Sequence, residues 1–99
     1  MDRNITEDAS SIRELSEVLA ASSDSRLIEE FLRSLLTSNE VAEISTRWAL
    51  VRRIDEGQSQ RNIAKELGLS LCKITRGSKE LKKENSAFAS MIDLYKTDH

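Results

Sequence analysis

Apolar residues recur along this chain in steps of three and four, the period of an α-helix that buries one face. Ile12, Leu15 and Leu19 form one stripe and predict a first helix over about 8–21. "SSDS" at 22–25 interrupts the pattern with side chains suited to capping. Leu27, Ile28, Phe31, Leu32, Leu35 and Leu36 then give a second helix a wide apolar face. Thr37 and Glu40 have capping-box spacing, so a third helix begins there. Its residues Val41, Ile44, Trp48 and Val51 make the seam of a helix packed along its length. It should run to about Glu56, with Gly57 as its stop, and be the longest element. Ser59 caps a short helix, "QRNIAKEL", which Gly68 ends, and Ser70 caps the next. A last helix over about 86–95 carries Phe88, Met91, Ile92 and Leu94. No run alternates apolar and polar residues as a strand would, and proline is absent. The expectation is an all-α chain of six short helices behind a polar arm at residues 1–7.

Length makes these helices one domain, 1–99. With 38% hydrophobic and only 4% aromatic residues, its core is aliphatic and small, and the chain gains much from a partner subunit. The net charge of −2 argues against a nucleic-acid binder, but its distribution reverses that reading. Residues 1–45 carry −6, residues 46–58 carry +1, residues 59–83 carry +5 and residues 84–99 carry −2. The basic charge is concentrated on the two short helices, and a local patch matters more than the total. One cysteine, Cys72, rules out an intrachain disulfide and fits a reducing compartment. The start, "MDRNITEDASSIREL", has no signal-peptide core, and no stretch is apolar enough to span a membrane. A cytoplasmic protein is expected. A lone His99 is no metal site, and neither a phosphate-binding glycine loop nor a nucleophile with a histidine base is present. Catalysis is therefore not expected.

"SQRNIAKELGLSLCKITR" has the layout of a helix-turn-helix. Ala64 is small where the second helix crosses the first, and Gly68 can take the positive φ of the turn. Ile63, Leu67, Leu69 and Ile74 supply the contacts between the two helices. The second helix would enter the DNA major groove with its N-terminal residues leading. A plain helical hairpin is the alternative.

Gly77 is the oddity of that second helix, since an interior glycine costs about 1 kcal/mol relative to alanine. "KITRGS" (73–78), with "SQR" (59–61), "TR" (46–47) and "LLTSNE" (35–40) upstream, resembles the tryptophan repressor family over about residues 27–83. The resemblance implies an intertwined homodimer, its core built from residues 8–57 and 85–96, and a DNA-reading head over 58–83. It further implies that free L-tryptophan acts as a corepressor, held between core and head, so that the two reading helices fit successive major grooves of operator DNA. Arg47 and Arg76 match the two arginines that sandwich the indole, one from each subunit. Arg76 would also pair with the ligand carboxylate and Thr37 would hydrogen-bond it. The carbonyls of Ser34 and Leu36 would accept from the ammonium group. Gly77 falls where a side chain would meet the indole, although a glycine there also lets two helices approach closely.

Guanidinium planes stack well on aromatic faces, and carbonyls near a helix C-terminus are free to accept, so these roles suit a zwitterionic aromatic ligand. Three positions depart from the family. Only Gln58 separates Gly57 from Ser59, one residue fewer than in its best-known members; Glu80 replaces a serine that faces the ligand amine; and Ser34 replaces a leucine. For DNA, Gln60 and Arg61 open the first short helix, and Leu71, Cys72, Lys73 and Thr75 lead the reading helix. Lys73 could reach a guanine and Thr75 a base or a phosphate, whereas Lys79, Lys82 and Lys83 would serve the backbone. Two other readings remain: a DNA-binding dimer of the same fold that needs no ligand, with Arg47 and Arg76 in ion pairs, and a helical protein–protein adaptor without a DNA role.

Overall fold

The computed structural model of the chain describes residues 6–98, the side chain of residue 98 excepted. Most of the expected polar arm and His99 lie outside the described residues. Six helices follow one another and no strand occurs among the described residues: α1 (Ala9–Ala21), α2 (Ser25–Leu35), α3 (Ser38–Asp55), α4 (Gln60–Leu67), α5 (Leu71–Lys82) and α6 (Ala87–Asp98). Each boundary lies within a few residues of its sequence expectation.

The chain divides into two compact units, Met1–Ser38 and Asn39–His99. The first unit carries α1 and α2. Asp8 caps α1 by accepting from the Ser11 amide at 3.2 Å, and Asp24 caps α2 by accepting from the amides of Arg26 and Leu27. Neither helix contains a buried residue. The apolar faces that define them, with Ile12, Val18, Leu27, Phe31 and Leu35, are left exposed.

The second unit holds the core. Leu50 and Val51 of α3, Ile63 of α4, Ile74 of α5 and Ile92 of α6 are its buried apolar residues, so every helix of the unit contributes. Trp48 is half-buried, as its place on the α3 seam leads one to expect, and stands 6.1 Å from each of two rings on α6. It is stacked on Phe88 and edge-on to Tyr95. The Arg52 guanidinium donates to the Tyr95 hydroxyl at 2.7 Å, and Lys96 pairs with Asp55 at 3.0 Å. These contacts fasten α6 along the C-terminal half of α3. Ile44, on the same seam, remains 41% exposed.

Gly57 has φ +89°, so the residue expected to stop α3 turns the chain in a conformation that side chains rarely adopt. The short connection beyond it is braced: Glu66 of α4 accepts from Gln58 at 2.9 Å and pairs with Arg53 of α3. These contacts tie α3, the connection and α4 together.

Candidate ligand cavity and reading face

Residues 58–83 fold as the sequence pattern requires. The Ser59 hydroxyl accepts from the Asn62 amide at 3.1 Å and the Ser70 hydroxyl from the Lys73 amide at 3.3 Å, so both expected caps are made. Gly68 sits in the left-handed region at φ +66°, and the Leu69 amide closes the turn on the Ala64 carbonyl at 3.1 Å. Ile63 and Ile74 are fully buried, and Ala64, Leu67 and Leu69 pack against them. This is a helix-turn-helix with a continuous apolar seam.

Its outer surface is polar and basic. Gln60, Arg61, Leu71, Cys72, Lys73, Thr75, Lys79, Lys82 and Lys83 are all exposed. Lys83, however, pairs with Glu80 at 2.7 Å one turn back on α5. Leu71, Cys72, Thr75, Arg76 and Lys79 border a shallow depression of about 380 Å³ on α5. Leu71 is 57% exposed at the leading end of that helix, an apolar side chain held out among cations.

On the side facing α3, α5 helps to form a larger cavity of about 580 Å³. Its α3 wall presents Glu43, Thr46, Arg47 and Leu50, which share one helix face at spacings of three, four and seven. Its α5 wall presents Lys73, Arg76, Gly77 and Glu80 on a single face. Leu69, Val51 and Phe88 add apolar surface. The volume falls in the range of small-molecule sites, with apolar walls and a few charged groups. Among the described residues neither Arg47 nor Arg76 makes an ion pair, and both residues are exposed.

The structure thus brings together Arg47, Arg76, Gly77 and Glu80, four of the expected ligand residues, and adds Lys73, expected at DNA. The sandwich implied by the resemblance takes one arginine from each subunit, whereas here both arginines of one chain border one cavity. Ser34, Leu36 and Thr37 belong to the first unit, at the C-terminal end of α2. There the Ser34 hydroxyl donates to the Glu30 carbonyl at 3.0 Å, and Leu36 is the C-cap. Sequence reasoning missed Glu43, Thr46, Leu50, Leu69 and Phe88 as cavity residues. Glu43 and Leu50 lie four before and three after Arg47, at helical spacing, so that one anchor carried the signal for them.

Gly77 is buried at the wall between α3 and α5. A Cβ built there would lie 3.1 Å from Leu50 Cδ2, 3.4 Å from Leu50 Cγ and 3.4 Å from Val51 Cγ2. Its missing side chain therefore serves close helix packing as well as bordering the cavity. Room for a ligand alone does not account for it.

A helical scaffold bearing a helix-turn-helix and a charged cavity behind its second helix defines the class. The family model described as "Trp repressor protein" matches residues 10–95, and the chain belongs to that family. A Trp operon repressor homolog of Vibrio parahaemolyticus is 34% identical over 83 residues, spanning 83% of this chain and 81% of the relative. One from Chlamydia trachomatis serovar L2 is 35% identical over 69 residues, 65% of this chain and 73% of the relative. A third, from Vibrio campbellii, is 32% identical over 74 residues, 74% of each chain. No solved structure gave a significant match. No helix among the described residues is long and apolar enough to cross a membrane, and no group of three or more His, Cys, Asp or Glu residues there could hold a metal ion.

Proposed function

We propose that this protein is a cytoplasmic, dimeric, sequence-specific DNA-binding repressor without enzymatic activity, activated by a small amino acid, L-tryptophan being the favoured corepressor. The observation that carries this reading is that Arg47 and Arg76, without an ion pair among the described residues, border one cavity walled by α5, the proposed reading helix. A ligand seated there touches the element that would enter the major groove, so its binding energy can bias the pose of that element. A flat aromatic ring gains from guanidinium faces on either side, about 0.5–2 kcal/mol each. Its carboxylate gains from the fork of Arg76. The second copy of the chain is supported by the exposed apolar faces of α1 and α2 and by Ile44, Met91 and Leu94, which one chain leaves in water. The ligand-independent alternative requires Arg47 and Arg76 to be tied up in ion pairs, and among the described residues they are not.

Calorimetric titration of L-tryptophan into wild type, Arg47→Lys and Arg76→Lys tests the proposal. Lysine keeps the charge but loses the stacking plane and the fork. Saturable binding to the wild type, weakened about tenfold or more by either change, is expected. Wild-type protein that takes up no tryptophan would remove the corepressor.

A further inference from the structure

We infer that Leu71, flanked by Cys72 and the methyl of Thr75, reads a thymine of the bound DNA by direct contact with its C5-methyl group. The inference rests on the DNA reading proposed above and names the feature of the duplex that this helix takes. It starts from an apolar side chain that packing does not explain. Within residues 58–83, Leu71 is the one large apolar side chain that stays exposed. The seam of the helix-turn-helix is complete without it: Ile63 and Ile74 are fully buried, and Leu67 and Leu69 pack against them. The other exposed large apolar side chains belong to α1, α2, α3 and α6. The second copy proposed to cover those faces does not account for a leucine at the start of α5.

Its neighbours define what can cover it. Leu71 and Thr75 are four residues apart, as are Cys72 and Arg76, and Lys79 follows four beyond Thr75, so the five share one face of α5. They border the shallow depression of about 380 Å³. Cys72 is exposed there and behaves as a small hydrophobe. The leading turn of the face is therefore apolar and the next is cationic, in a segment carrying +5. Its complement must set anionic groups beside an apolar one. The major groove of duplex DNA does so: phosphates run along its edges, and the thymine methyl is an apolar group on its floor. A leucine has neither donor nor acceptor, so it cannot read the hydrogen-bonding edge of a base. What it can register is whether a methyl group is present. A helix that leads into the groove with its N-terminal residues brings Leu71 to the base edges first and leaves Lys79 toward the phosphates.

The test removes the methyl from the DNA and the leucine from the protein, singly and together. Duplexes are selected from a random pool on wild type, with and without L-tryptophan, and each thymine of the best duplex is replaced in turn by deoxyuridine, which lacks only the C5-methyl. Fluorescence anisotropy then follows binding to wild type, Leu71→Met and Leu71→Ala. At one thymine position the replacement should weaken wild type about fourfold, the effect of exposing one buried methyl, and about fifteenfold when made in both half-sites. Leu71→Met, which keeps an apolar side chain of similar volume, should keep that sensitivity. Leu71→Ala should bind the thymine duplex more weakly and no longer distinguish it from the deoxyuridine duplex, so that the two losses are coupled rather than additive. Far-ultraviolet dichroism of each variant checks that α5 is intact. A wild type indifferent to deoxyuridine at every thymine overturns the inference and leaves DNA binding standing. Leu71→Ala with the full sensitivity of wild type overturns the assignment to Leu71. A wild type that selects no duplex under either condition overturns both this inference and the repressor reading.

Discussion

At the scale of single residues, Gly77 is a tightly packed position on α5. Alanine there would regain about 1 kcal/mol of helix propensity. Its Cβ would meet Leu50 Cδ2 at 3.1 Å, so Leu50 must give by a few tenths of an ångström. Valine adds two methyls against a buried wall and cannot be absorbed that way. Gly77→Val is expected to lower stability by about 1–3 kcal/mol in urea unfolding, with Gly77→Ala much closer to wild type. Equal stability of all three would mean that α3 and α5 do not meet at this point. The exposed lysines divide by position. Lys73→Ala, at the leading end of α5, should relax sequence preference, costing about 1–3 kcal/mol of discrimination. Lys82→Ala should weaken binding evenly across sequences and reduce the salt slope by about 1. Anisotropy titrations on matched and mismatched duplexes over a range of salt separate the two patterns. Residues with a fixed local job were legible in the sequence: Ser59 and Ser70 cap, Gly57 and Gly68 turn. Ser86 was not. Its buried hydroxyl donates to the Glu80 carbonyl at 2.9 Å and accepts from the Ala89 amide at 3.1 Å, closing α5 and opening α6 with one group. Only the α5–α6 turn brings those partners together, and no spacing rule announces it.

At the scale of elements, all six helices were readable because each carries an apolar stripe, a cap or both, and these local signals agree with the packing. The helix-turn-helix was the clearest: Ile63, Ala64, Leu67, Leu69 and Ile74 all joined the core as expected. What stayed hidden was the partition between elements. The seam of α3 predicts burial along its length, yet Val51 is fully buried while Ile44 is 41% exposed, because α6 meets only the C-terminal half of the seam. Periodicity shows that a face wants cover and is silent on what covers it. The first helix offers a test of its own through pH. The Ser11 hydroxyl and amide and then the Ser10 hydroxyl hold the Asp8 carboxyl below its ordinary value of 3.8. A carboxyl depressed by folding stabilises α1 above pH 3.8, and that contribution is lost as pH falls through the lower folded value. Nuclear magnetic resonance titration should place Asp8 below 3.8, with the Ser11 amide losing protection as it protonates. A midpoint at or above 3.8 would contradict the cap.

At the scale of the whole molecule, the family was legible from ordered fragments, "LLTSNE", "TR", "SQR" and "KITRGS", rather than from any one motif. A second copy is the simplest cover for two helices with no buried residue and for Met91 and Leu94 on α6, 57% and 60% exposed. Sedimentation should therefore find a dimer at micromolar concentration, with a melting temperature that rises with protein concentration. A folded monomer with a concentration-independent melt would contradict it. The proposed function requires that occupancy of the cavity behind α5 controls DNA binding. The most direct measurement selects duplexes from a random pool on the protein with L-tryptophan present, then titrates the best duplex by fluorescence anisotropy with and without the amino acid. L-tryptophan is expected to tighten binding about tenfold or more, equivalent to at least about 1.4 kcal/mol of coupling. Identical affinity in the two titrations would contradict it.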